Sequence, residues 1–140
     1  MVEKIEHAGT LYAIIIYSEF NLPGIHFFTP DEFSQQLAYM AHPTGKLIDP
    51  HYHNLLARTV DYTQEVLFIR KGKIRVDFYD RNKYLLDSKV LCAGDTILLA
   101  SGGHGFEVLE DIQMIEVKQG PFSGELDKTR FIPQQKLVNK

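Results

Sequence analysis

The chain has 140 residues, 44% hydrophobic and 24% charged, a balance that excludes a disordered chain and suits one domain with its own core. Its formal charge of −3 argues against nucleic acid as the main partner, because phosphate recognition needs a basic face. No apolar stretch approaches the roughly 20 residues that span a bilayer, and no secretion signal is visible, so a cytoplasmic protein without a membrane partner is expected.

Leu11 to Tyr17 is the first β-rich run. Its continuous Ala13-Ile14-Ile15-Ile16 lacks the alternation of a strand with one wet face, so both faces should be covered. An open edge there would invite pairing with another chain, which makes a partner subunit one expected cover. The chain's own tail, through Phe122 or Phe131, is the other. Gly24 opens a second run, Ile25 to Phe28. Thr29-Pro30-Asp31-Glu32 then reads as a short helix start, with Thr29 as N-cap, Pro30 at the first helical position and Glu32 closing a capping box. Gln36–His42 and Lys46–His53 look extended again, split by Pro43-Thr44-Gly45.

The middle of the chain is more regular. In Lys73–Tyr79, Ile74, Val76 and Phe78 alternate with Arg75, Asp77 and Tyr79, the period of a half-buried strand. With Val66–Ile69 and the intervening Lys71-Gly72 it reads as a hairpin. Asp80-Arg81-Asn82-Lys83 turns into Tyr84–Cys92, where the lone Cys92 is expected to be a buried small hydrophobe. Gly94-Asp95 turns into Thr96–Ala100, Ser101-Gly102-Gly103 into His104–Leu109, and Glu110-Asp111 into Ile112–Lys118. Many short strands at regular spacing predict a single all-β domain, sandwich or closed barrel. The barrel core is expected over about 36–118, with N-terminal strands and helix over 10–35 and a tail over 119–140 whose last few residues are loose.

His51-Tyr52-His53 falls where a strand is expected, so its two imidazoles share one face and can grip one ion side by side. Gly45 precedes His51 with five residues between, and Glu65 precedes Gly72 with six between. Gly94 later leads to His104. In this order the residues resemble the two signature motifs of the cupin superfamily, a Gly-led His-x-His with a following Glu and Gly, then a Gly-led segment ending in a third His. The resemblance implies a double-stranded β-helix (a jelly-roll barrel), often a homodimer. It implies one divalent transition metal, Fe, Mn, Ni, Zn or Cu, held by His51, His53, Glu65 and His104. The spacer Asn54–Gln64 has eleven residues where the family usually has three or four, so the carboxylate is Asp61 or Glu65. The family distance to Gly72 favours Glu65. The second motif is Ala100-Ser101-Gly102-Gly103-His104, without the family's usual proline, and Val108 stands near the family's asparagine.

Arg58, Thr59, Asp61 and Tyr62 give the spacer a cation, hydroxyls and an aromatic suited to an anionic or polyhydroxylated ligand. Arg58, Tyr62 and Phe106 are therefore candidate substrate contacts. In Ile112–Lys118 either Ile115 and Val117 or Met114 and Glu116 point inward. An inward Glu116 is a candidate general base, and Tyr62 a second catalytic candidate. His7, His26 and His42 have no partner pattern and read as structural or solvated. The segments Ile115–Phe122 and Asp127–Phe131 also resemble short bacterial cupins associated with sugar and polysaccharide biosynthesis, which implies a carbohydrate-derived substrate. Three functions follow from the resemblance: a metal-dependent enzyme such as an isomerase, epimerase or dioxygenase, a non-catalytic binder or sensor, or a metal-free sugar epimerase.

Overall fold

The computed structural model describes residues 1–135. Nearly all regular structure is β. The strands are β1 (Val2–His7), β2 (Thr10–Ile16), β3 (Gly24–Phe27), β4 (Ala38–Ala41), β5 (Glu65–Tyr79), β6 (Leu85–Cys92), β7 (Thr96–Leu99) and β8 (Gly103–Lys118). A short 3-10 turn at Gly124–Asp127 is the one helical element among the described residues, and none of it is long and apolar enough to cross a membrane.

Six strands form one antiparallel sheet that curls into a half-barrel, in the order β1-β2-β7-β5-β6, with β8 along the other side of β5. β3 and β4 form a separate two-stranded ribbon. The sheet therefore starts at Val2, and β1 and β2 belong to the barrel itself rather than preceding it.

β5 is one bent strand and not a hairpin. Its first half pairs with β7 and its second with β6, while β8 follows it from Glu65 opposite Lys118 to Tyr79 opposite Gly103. The register slips between Ile69 and Ile74, where Lys71 pairs with Gln113, Lys73 with Glu110, and Gly72 lies against the Asp111 carbonyl. Lys71-Gly72 and Glu110-Asp111 read as turns in sequence, and both are corners where a strand bends from one half of the sheet into the other. Gly72 is required there. Its φ is 92°, and a Cβ would sit 2.0 Å from the carbonyl oxygen of Asp111.

Two apolar layers follow from strand alternation. Ala13, Ile15, Leu67, Ile69, Ile74, Val76, Phe78, Leu91, Ile97 and Leu99 line the concave face. Ile14, Ile16 and Leu98 face the other way, under Leu37, Phe20, Phe28 and Phe33. The expectation that Ala13–Ile16 is covered on both faces holds, but neither a partner nor the tail does the covering. β1 and β7 pair its two edges, and the 20–37 segment roofs its outer face.

Three further expectations are corrected. Residues 29–36 form bends rather than a helix, because Thr29 Oγ1 accepts from the Leu37 N–H at 3.2 Å instead of capping at Glu32, and the Gln36 amide takes up the carbonyls of Pro30 and Phe33. Cys92 is exposed, because Leu91 takes the inward position opposite Ile74. Phe131 packs its ring 5.4 Å from Tyr79, but Phe122 is exposed and pins nothing. The expected looseness of the last residues lies outside the described part.

Candidate functional site

Register decides which side chains share the concave face. Directly opposed residues in an antiparallel pair point the same way. Phe78 faces His104, Val76 faces Phe106 and Ile74 faces Val108, so His104, Phe106 and Val108 line the interior as the alternation requires. Leu67, an interior residue, faces Glu116 and Ile69 faces Met114, which resolves the ambiguity of the last strand. Met114 and Glu116 are inward, and Ile115 and Val117 lie on the outer face.

Glu65 opens β5 on the same face as Leu67. Its Oε1 accepts from His104 Nε2 at 2.8 Å, with the Glu65 side chain largely buried. Two of the four residues nominated as ligands therefore meet, although they come from distant parts of the chain. Glu116, opposite Leu67, is the third member, close enough to Glu65 for each carboxyl to shift the other. The His104 imidazole holds the Glu65 carboxyl below the usual carboxylate range, against the opposing effect of burial, with Lys118 adding a weaker pull. The bond to Glu65, with burial adding to it, pushes the Glu116 carboxyl up. The two carboxyls are thus shifted in opposite directions, Glu116 up and Glu65 down. The Phe106 ring lies 5.4 Å from His104 and forms an apolar wall beside the cluster.

Lys118 was not among the residues singled out in sequence. It stands opposite Glu65 in register and is the cation that faces the carboxylates. The signal was available as the period-two series Met114, Glu116, Lys118, once one of them was known to be inward.

His51 and His53 lie elsewhere. They sit in an extended arm, residues 42–62, that pairs with no strand and is exposed at every position. Their rings are 5.3 Å apart, and His51 Nδ1 is 2.8 Å from the Asp49 carbonyl oxygen. With Nδ1–H donating there, the Nε2 lone pair of His51 points away and is free to bind. The donor chemistry of the four residues suits a borderline divalent ion, but within one chain they form two separate halves. Among the described residues, no three His, Cys, Asp or Glu side chains are placed to hold a metal together.

Asp61 is exposed and joins neither half. Arg58 and Tyr62 line an open cleft of about 1180 Å³ between the root of the arm, the 31–36 bends and the 119–127 segment, away from Glu65 and His104. Tyr62 carries the Arg81 guanidinium 5.8 Å above its ring. The root of the arm is fixed by the buried Gln64, whose side-chain oxygen accepts from the Gln35 N–H and whose carbonyl accepts from the Gln119 N–H. His26 bonds the Pro23 carbonyl at 2.9 Å, a structural role, and His7 and His42 are exposed.

Searches against protein-family models, curated proteins and solved structures found no match to this chain.

Proposed function

We propose that the protein is a cupin-like enzyme that moves a proton on a small polar, sugar-derived molecule at the Glu65–His104–Glu116 centre. The observation that carries this reading is the 2.8 Å contact between His104 and Glu65 on a concave face otherwise lined by apolar side chains. Three ionisable groups together on an apolar wall are costly unless they pair or work. The strand order supports the cupin part. An antiparallel sheet curled into a half-barrel, with register slips where β5 and β8 pass each other, is compatible with part of a jelly-roll barrel.

The chemistry follows from the unequal carboxyls. Glu65, ionised and hydrogen-bonded to an imidazole, accepts a proton from a carbon next to a carbonyl. Glu116, the carboxyl shifted upward, returns a proton to the substrate, and His104 relays between solvent and the pair. Removal and return of a proton changes no oxidation state and requires no further reactant, as in an isomerase or epimerase. The test is solvent exchange. A panel of keto- and aldo-sugar phosphates and nucleotide-linked sugars, incubated in D₂O, should include one that takes up deuterium at carbon. Glu65→Gln should slow that uptake by about 10²–10⁴-fold. Tight binding of a sugar with no uptake would make the protein a binding or sensing module instead.

The second reading, a divalent metal held by His51, His53, Glu65 and His104, rests on a separate observation. His51 offers a free Nε2 beside His53, and that half matches the Glu65–His104 half in donor type. Such an ion would supply Lewis-acid stabilisation of a substrate oxygen.

A further inference from the structure

β8 is sixteen residues long and pairs with β5 on one side; among the described residues its other side pairs with nothing. That leaves a long row of unpaired backbone donors and acceptors, the arrangement that recruits another strand. Its side chains are uncovered on both faces. Phe106 and Val108 are 42% and 52% exposed on the concave side, and Ile115 and Val117 are exposed on the outer side. The edge strand at the opposite end, β1, is only six residues long and buries Ile5.

The same chain carries a segment with the complementary deficit. Residues 42–62, after a turn at Pro43–Lys46, pair with no strand and are exposed throughout, yet they are not composed like a solvated linker. Leu47 is 84% exposed, Leu55 102%, and Ile48, Tyr52 and Leu56 are bare as well. In an extended strand Leu47, His51, His53 and Leu55 share one face. That face offers apolar groups for Phe106 and Val108 and imidazoles for the Glu65–His104 centre. Charge does not oppose the pairing: of the β8 anions, Glu107 and Glu110 are already paired with Arg75 and Lys73, and the arm brings three histidines with its cations and anions in balance.

We propose that the 42–62 arm of a second copy of this chain lies along the open edge of β8, and that the exchange is reciprocal. Each site then joins Glu65, His104 and Glu116 of one copy to the partner's His51 and His53. An edge and an arm that are both unsatisfied in every molecule are satisfied together by one two-fold axis. The arm's 21 residues, counted from 42 to 62, match the roughly 20–30 residues a side of a stable interface. Fully extended they have a contour of about 70 Å, so an excursion anchored at both ends still crosses to a neighbour. The clause about the site rests on the reading of Glu65–His104 as the functional centre; the exchange itself does not.

Light scattering separates the two. The wild-type protein is expected at twice the 16.1 kDa chain mass, and Leu47→Asp with Leu55→Asp at once that mass, with unchanged circular dichroism. Both positions are bare within one chain, so a monomer would tolerate the change. A wild-type monomer, a double variant that stays dimeric, or one that unfolds as an isolated chain would each overturn the exchange. Cobalt(II) absorption then reads the shared site. His51→Ala/His53→Ala and Glu65→Gln/His104→Ala should each lose the band, and co-refolding them in equal amounts should restore a quarter of the wild-type signal, from the one intact site in each mixed dimer. No recovery while the wild type binds cobalt would place the arm on its own barrel and overturn the proposal. If the wild type binds no cobalt, the metal reading fails and the mass measurement alone decides the exchange.

Discussion

The two ends of the sheet are built on opposite terms. At the β1-β2-β7 end every strand in the interior is paired on both edges, Ala13, Ile14, Ile15, Ile97 and Leu98 are fully buried, and a second apolar layer lies outside. At the β8 end a strand twice as long as β6, which pairs the opposite edge of β5, has a bare edge, and its interior-facing residues are open to solvent along most of its length. The ionisable cluster Glu65–His104–Glu116 is at the open end. Stability is concentrated where the sheet is closed, and the polar chemistry where it is not. A site that must admit a ligand or another strand has to come from the less satisfied part of the fold.

Substitutions at matched positions can break this contrast. The largest effect is expected for Ile15→Lys. The side chain is fully buried among apolar neighbours, so an unpaired ammonium there should cost several kcal/mol and leave no cooperative thermal transition. Soluble, folded Ile15→Lys would mean that the closed end is not the stable one. Next is Phe78→Ala against Phe106→Ala, both on the concave face. The first should lose about 3–5 kcal/mol in urea titrations. The second, already 42% exposed in the single chain, should lose about 1 kcal/mol in dilute protein and more as concentration brings a second copy onto β8. A Phe106→Ala cost that does not depend on concentration would leave β8 bare in solution.

A smaller effect, confined to acid, is expected at Asp77. It sits beyond the corner of β5, where its carboxylate accepts from Arg75 at 2.9 Å and from the Ser88 hydroxyl at 2.6 Å, tying β5 to β6. The Arg75 guanidinium beside it holds the carboxyl below its ordinary value, although burial opposes the shift. A depressed folded-state pKa contributes stability that is present above the unfolded value of about 3.9 and is lost as pH falls through the folded value. Asp77→Asn should therefore destabilise the protein at pH 7 and narrow the gap to wild type near pH 2–3. A constant gap across that range would assign the loss to packing rather than ionisation.

How much of this was legible in the sequence depends on what each feature needed. The strand Lys73–Tyr79 was readable because Ile74, Val76 and Phe78 alternate with polar residues over a full period-two run. The meeting of Glu65 with His104 was legible only through the cupin resemblance, whose motifs name a Glu and a later His together; spacing within one strand does not join them. The corners at Lys71-Gly72 and Glu110-Asp111 were not legible, because a glycine bulge and a hairpin turn have the same local composition, and only β8 opposite tells them apart. The inward face of Met114-Ile115-Glu116-Val117 was hidden for a related reason. Apolar residues occupy both phases, and pairing with Leu67 was needed to choose. His51 and His53 were expected on a strand, but they lie in an arm outside every strand, with their rings 5.3 Å apart.

The central claim is that Glu65, paired with His104, is the functional carboxylate, and that Asp61 is not. Titration of apo protein with zinc(II) or cobalt(II), followed calorimetrically for wild type, Glu65→Gln and Asp61→Asn, tests it most directly. On the metal reading, about one ion per chain is expected for wild type and for Asp61→Asn, with affinity lower by at least the 10–100-fold typical of disturbing even an outer-shell partner in Glu65→Gln. Equal losses in the two variants, or a larger one at Asp61, would contradict it.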